Sequence, residues 1–417
     1  MIFYTITSTT LIFAGERTFD EDYFWGLMMM FGLASLLTLK KTDSKSAGVC
    51  INRDQTEEWK GWMQLLFLSY HYFHAAPVYN LIRILIAAYV WMTGFGHFTY
   101  FLKTGNYDVV RVVRTLMRLN FLVFFSCWAS GNELMMYYIC PMHTFYFLMV
   151  YVFMYIGNKH NKKRSVILIK LALCFIFVTV LFETDVAKAI FFFPARPILK
   201  WEYDTDNEDK MHEWYFRAGL DHYASWTGMV CAYFMPNYQS FLENLESGPK
   251  ATEWLVKIMI SSFLIVVNWI FFTTIYMKEK YEYNADHPYY SMITVVSFLW
   301  FRNLTPKLRT YYLSMWAWWG KVTLESYISQ FHILLTANAK QTILVLADKP
   351  VQSMVWMSMF FGLCSKMLFD STVYFTATMA PNSSTITMVR NFVVSALALG
   401  SIFVVAALIH NFTAIPT

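Results

Sequence analysis

Charge is scarce in this chain. Only 15% of its 417 residues are Asp, Glu, Lys or Arg, and 57% are hydrophobic, against roughly 25% charged in soluble domains. With a mean hydropathy of +0.38, that excludes a soluble globular class and defines a polytopic membrane protein. The six cysteines (Cys50, Cys127, Cys140, Cys174, Cys231 and Cys364) form no CxxC or CxxH pairing, and most lie within apolar runs. They read as packed thiols, which excludes a zinc site or a disulfide framework, and no other metal-ligand set stands out. Also missing are GxSxG, a Gly-Asp-Ser block with a late Asp-x-x-His, a P-loop, a dinucleotide fingerprint and HExxH, which sets aside the hydrolase and nucleotide-fold chemistries those motifs support. Residues 1–14 lack the basic region and small-residue site of a cleavable signal peptide, and so abrupt a start leaves room for a preceding segment. The net charge of +5 is modest, and Lys and Arg sit in short loops beside apolar runs, so it reports orientation in a bilayer and not nucleic-acid binding.

What is present is a series of apolar runs at 23–39, 61–79, 82–102, 118–131, 134–156, 165–183, 217–235, 254–276, 289–301, 311–334, 351–369 and 390–409. They predict an all-α membrane bundle. Counted from Lys60, the runs from 61–79 to 351–369 number ten, with flanking helices on either side. The expected organisation is an N-terminal segment over 1–56, a core over 57–370 and a last loop and helix over 371–417. Basic clusters at Lys40 to Lys60, Lys103 to Arg118, Lys159 to Arg164 and Arg302 to Arg309 are separated by even numbers of runs, so all four fit one cytoplasmic face. The loops 184–216, with Asp204 and Asp206, 277–288 and 336–350 then fall on the other face.

Five constellations carry possible chemistry. Lys60 precedes His71 by eleven residues, which at about 1.5 Å per residue sets the ammonium at the membrane surface and the imidazole roughly 16 Å deeper. An ionisable ring at that depth belongs to a protein interior or a wet cavity, either as a functional group or as a satisfied interhelical hydrogen bond. Lys60 also suits a snorkelling role beside Glu58, with Trp59 and Trp62 as belt aromatics. His74 falls on the same predicted helix face as His71. Next come Arg83 and Thr93-Gly94-Phe95-Gly96-His97, whose glycines permit close approach of a ligand or of a neighbouring helix.

Arg111, Arg114 and Arg118, followed by Asn120, share a helix face that suits either a pyrophosphate clamp or positive-inside anchoring. Arg217 and Asp221, four residues apart, suit an ion pair on one helix face. Glu325, Ser329 and His332 form a polar stripe at i, i+4 and i+7. His143 and His287 are secondary candidates.

These residues fall in blocks that resemble the Cas1p-like membrane acyltransferases, which include the plant Reduced Wall Acetylation proteins and the membrane half of animal sialate O-acetyltransferases. The blocks are Glu57-Glu58-Trp59-Lys60-Gly61-Trp62-Met63-Gln64, His71-Tyr72-Phe73-His74, Thr93-Gly94-Phe95-Gly96-His97-Phe98, Arg118-Leu119-Asn120-Phe121, Tyr138-Ile139-Cys140-Pro141-Met142-His143, His212-Glu213-Trp214 with Arg217 and Asp221, His287-Pro288, Arg302-Asn303, and Gly320-Lys321-Val322-Thr323-Leu324-Glu325 with His332. In order, they cover roughly residues 50–370. The family in turn resembles the Arg-x10-His membrane acyltransferases, with Lys60 in the arginine's place, a basic loop similar to 111–118, and a helix-ending histidine similar to His332.

The resemblance implies an O-acetyltransferase that takes acetyl-CoA as donor and a polysaccharide or glycan as acceptor in the Golgi membrane. It implies His71, His332 and His97 as catalytic, Lys60, Arg83, Arg114, Arg118 and Asn120 as donor-binding, and Glu58, His143, Arg217, Asp221 and Glu325 as a supporting polar network. Many relatives carry a luminal esterase-like domain that this sequence does not contain, so a separate luminal acetyltransferase is an expected partner. The rival reading is a transporter or relay that passes activated acetyl groups across the membrane.

Overall fold

Short polar side chains write four of the helix starts among the described residues. Asp20, Asn52, Asp108 and Thr305 each accept a backbone N–H from the first turn that follows, replacing a partner the helix cannot supply. Left-handed residues write several ends, at His74 (φ 54°), Gly105 and Gly131. The computed structural model describes residues 13–184, 208–336, 339–382 and 384–413. The acidic positions Asp204 and Asp206 lie outside the described residues.

The result is an all-α bundle. In order come α1 (Glu21–Leu36), α2 (Arg53–Phe73), α3 (Tyr79–Thr104), α4 (Val109–Ser130), α5 (Ile139–Tyr155), α6 (Arg164–Glu183), α7 (Glu208–Gly219) and α8 (His222–Ser247). Then follow α9 (Lys250–Phe271), α10 (Lys280–Tyr290), α11 (Met292–Arg302), α12 (Pro306–Thr310), α13 (Ser314–Lys321), α14 (Thr323–Ile333), α15 (Pro350–Met379) and α16 (Thr385–Thr413). Among the described residues, four helical stretches are long and apolar enough to cross a membrane by length and composition: Ala76–Thr104, Arg164–Glu183, Lys250–Tyr276 and Thr385–Ile402. The others are shorter, less apolar or more charged.

Two antiparallel ribbons tie the ends. β2 (Leu39–Lys41) pairs with β3 (Tyr311–Leu313) among the basic loops, where Asn52 also donates to the Arg309 carbonyl at 3.1 Å. β1 (Phe13–Gly15) pairs with β4 (Thr342–Leu344) at the other end. There, Asn80 reaches the carbonyls of Tyr276 and Lys278.

Several expected boundaries move. The runs 217–235 and 311–334 are each broken, between α7 and α8 at Leu220–Asp221 and between α13 and α14 at Val322. The short run 118–131 is the apolar half of the 22-residue α4, whose first turns hold the arginines. The boundaries expected at 56 and 370 both fall inside continuous helices, α2 and α15.

Glycine sets the two tightest crossings. A Cβ on Gly61 of α2 would stand 1.9 Å from the Trp316 carbonyl oxygen of α13, and one on Gly320 would stand 1.9 Å from that of Glu57. Gly94 of α3 and Gly228 of α8 repeat the pattern against Ser225 and Trp91. Apolar burial does not drive helices together in lipid, so such backbone contact is a main source of adhesion. Packing is thus the role of Gly94, whereas Gly96 faces open space.

Candidate active site

Along α2, Lys60, Gln64, Phe67 and His71 follow one another at i, i+4, i+7 and i+11, which places them in a single stripe. The stripe does not face one chamber. Lys60, Gln64 and Phe67 line a cavity of about 570 Å³ that reaches the basic end. Phe67 and His71 line a second, of about 820 Å³, that reaches the opposite end. Phe67, Ile86 and Tyr327 belong to both linings and so form the wall between them. Tyr327 is fixed there by donating to the Met136 carbonyl at 3.0 Å, with its ring 5.8 Å from that of Phe67.

The first cavity is cationic. Lys60, Arg111, Arg114, Arg118 and Lys321 line it, with no carboxylate among the described residues of the lining. Lys60 pairs with Glu57 at 2.7 Å, one turn back. Arg111 lies over the Tyr100 ring at 4.3 Å, and Arg114 donates to Asn382. Arg118 holds the fully buried Glu325 at 2.6 Å, and Thr372 donates to the same carboxylate oxygen at 2.7 Å. Deeper in, Thr93, His97 and His143 contribute polar atoms. His143 Nδ1 and Thr93 Oγ1 are 2.7 Å apart, and the His97 ring sits 4.6 Å from Phe147.

Charges in the second cavity are mostly matched. Arg83 Nη2 donates to Asp221 at 2.6 Å, and the other oxygen of Asp221 lies 3.1 Å from His287 Nε2. His287 Nδ1 is 2.9 Å from the Tyr283 hydroxyl. All four of these residues are essentially fully buried, as a charged network in lipid requires. Arg217 pairs with Glu213 at 2.8 Å, and its guanidinium lies over the Tyr138 ring. The His71 ring is packed edge-on by Phe67 at 4.7 Å, Tyr70 and Phe331. Arg17 holds the His71 carbonyl at 3.1 Å. Tyr70, Tyr79, Tyr138 and Tyr281 give the chamber an aromatic, hydroxyl-rich surface.

Several assignments change as a consequence. Arg83 lies in the His71 chamber and neutralises Asp221, away from the cationic cavity where a donor-binding role would place it. The expected Arg217–Asp221 pair does not form. A helix break separates the two, and Asp221, at the start of α8, makes no side-chain cap because its carboxylate is committed to Arg83 and His287. Asn120 lines neither chamber and donates to Leu116 and Thr144, tying α4 to α5. His332 is 0% exposed, lies outside both linings, and its Nε2 is 2.5 Å from the Tyr137 hydroxyl. That position suits a brace and not contact with a substrate. Glu58 accepts from Arg302 at 3.0 Å and from the Leu313 amide at 2.6 Å, anchoring α2 to β3. His74 is the exposed left-handed end of α2 and does not continue its face.

Arg111, expected with Arg114 and Arg118 as a pyrophosphate clamp or an anchor, lines the cationic cavity with them, as do Lys321, Thr93 and Tyr327, to which the sequence alone assigned no role. Arg111 begins the same i, i+3, i+7 series as Arg114 and Arg118, and that periodicity was the available signal.

A multi-pass helical membrane protein with ionisable side chains buried at mid-depth and two polar chambers back to back has the architecture of an integral membrane transferase or carrier. The chain belongs to the family described as the 10 TM acyl transferase domain found in Cas1p, which it matches over residues 1–393. It is similar to the N-acetylneuraminate (7)9-O-acetyltransferase of Danio rerio, with 32% identity over 383 residues, covering 87% of this chain and 47% of that protein. The chain thus spans about half the length of that relative. No solved structure matches it.

Proposed function

We propose that this membrane acyltransferase uses acetyl-CoA to O-acetylate a glycan or polysaccharide, taking the donor from the basic face and delivering the acetyl group to an acceptor on the other. The observation that carries this reading is the thin wall of Phe67, Ile86 and Tyr327 between a cationic chamber and a charge-matched one. Lys60, Arg111, Arg114 and Lys321 suit the phosphates of CoA, since guanidinium and ammonium groups bind such anions by charge-assisted hydrogen bonds. The basic loops suit a cytosolic position for that face. The tyrosine-lined chamber suits a sugar, whose hydroxyls need hydrogen bonds and whose ring faces stack on aromatics.

The slender pantetheine arm passes between Phe67 and Tyr327 and presents its thioester beside His71. His71 removes the proton of the acceptor hydroxyl as that oxygen bonds to the acetyl carbonyl carbon. The carbon–sulfur bond breaks, and the thiolate leaves with CoA and regains a proton. Glycan acceptors of this kind are assembled in the Golgi lumen, which makes a Golgi membrane the fitting location.

A second reading, in which a separate luminal esterase-like acetyltransferase receives the acetyl group, suits the same two back-to-back chambers. One experiment separates the two. Purified protein is given labelled acetyl-CoA and a panel of glycans, and the label is followed by mass spectrometry. Ester-linked acetate on a glycan with this chain alone supports the enzyme. Label that reaches sugar only after a luminal partner is added supports the relay, and no turnover in either arm removes both.

A further inference from the structure

A third hollow, of about 660 Å³, lies at the basic end between the loop joining α3 to α4 and the turn joining α5 to α6. It shares no lining residue with the cationic chamber. Lys103, Lys159, Lys162 and Arg164 line it, with no carboxylate among the lining residues. Like charges gathered in this way repel one another unless an anion joins them.

Two independent features sharpen the point. The ammonium of Lys170, a residue only 8% exposed, is accepted by Asn161 Oδ1 at 2.5 Å and the Met154 carbonyl at 3.3 Å. Both acceptors are neutral, and Asn161 itself lines the hollow. Helix α6 also begins here with no side-chain cap at Lys163 and no acidic residue in its first turn. Its free N–H groups and positive dipole end add to the cations, where helices ordinarily place acidic residues.

The surroundings say what kind of anion fits. Beside the hollow, the Tyr107 ring stacks on Phe101 at 5.2 Å, and Tyr151 stacks on Tyr155 at 5.4 Å, aromatic pairs of the kind found at a membrane boundary. Just inward from Arg164, α6 exposes Leu168, Ile169 and Leu173, an apolar track running into the bilayer. A ligand held here has a charged head on the lysines and room for hydrocarbon along α6.

We propose that this hollow binds the phosphorylated headgroup of an anionic phospholipid in the leaflet on the basic side, with its acyl chains laid along α6. Lys159, Lys162 and Arg164 hold the phosphate, and Lys103 closes over it. Headgroups that carry a phosphomonoester are favoured over phosphatidylcholine, whose own ammonium would meet the lysines.

The test uses the purified full chain in detergent with dioctanoyl phosphatidylinositol 4-phosphate as probe, read by thermal stabilisation and by direct titration. Saturable binding is expected, weakened about tenfold or more in the double variant Lys159→Glu, Lys162→Glu and unchanged in His71→Ala. The neutral pair Lys159→Gln, Lys162→Gln gives the same reading if charge reversal disturbs insertion. Equal stabilisation by dioctanoyl phosphatidylcholine or by inorganic phosphate would overturn the lipid assignment. So would displacement of the probe by CoA, which would make the hollow part of the donor site, or unchanged binding in both lysine variants.

Discussion

The two chambers differ in how their charges are settled. At the basic end, five cations line a space with no carboxylate among the described residues of its lining, and among the described residues Lys60 and Arg118 alone are matched by acidic neighbours, Glu57 and Glu325. At the other end, Arg83 and Arg217 are each held by a carboxylate at 2.6–2.8 Å. Excess positive charge in a low-dielectric site persists only where a ligand completes it, whereas matched pairs complete themselves. The first chamber is therefore built for an anion and the second for a neutral, hydroxylated molecule. One aromatic wall lets them meet without merging.

Removing the His71 ring gives the strongest test of that division. General-base catalysis contributes typically about 10²–10⁴-fold, so His71→Ala should lose acetyl transfer by that order while donor binding, measured by titration with CoA, stays near wild type. A parallel fall in donor affinity would mean that the chambers are one.

Asp221→Ala attacks the matched side. It strands the buried guanidinium of Arg83, a defect that costs roughly 3–5 kcal/mol, and should appear as a large loss of thermal stability in detergent. A stable variant would show that the network is not what keeps that chamber neutral.

On the cationic side, the pair Arg111→Ala, Lys321→Ala should raise KM for acetyl-CoA about tenfold with kcat nearly unchanged, and the difference should shrink at high salt. A fall in kcat alone would place those cations at the reacting atoms.

The smallest expected effect is none. Asn382 opens the glycosylation sequon Asn382-Ser383-Ser384 but lies at the basic end against Arg114, so Asn382→Gln should leave gel mobility unchanged before and after glycosidase treatment. A glycan there would invert the proposed orientation.

The chain's own pattern made the membrane class, the Lys60 and His71 spacing and the arginine series legible, because all three are local and follow helix periodicity. The wall was not legible, since Phe67 acts as a divider only through Ile86 and Tyr327, which come from α3 and α14. Asp221 was paired with Arg217 on spacing. Its actual partner, Arg83, is 138 residues away, and a helix break separates it from Arg217. The family resemblance implied His332 as catalytic from its place at a helix end, yet the Tyr137 hydroxyl, from nearly two hundred positions earlier, lies 2.5 Å from its Nε2. Local periodicity locates polar side chains in a bundle, and only tertiary contact decides which of them meet solvent.

The most direct measurement is sidedness. Protein is reconstituted in one orientation in sealed vesicles, with labelled acetyl-CoA supplied at the basic face and acceptor glycan confined to the opposite compartment. The account predicts labelled glycan in that compartment and all of the CoA on the side where it was added. Labelled glycan formed only when both substrates share the basic side, or intact CoA found across the membrane, would contradict it.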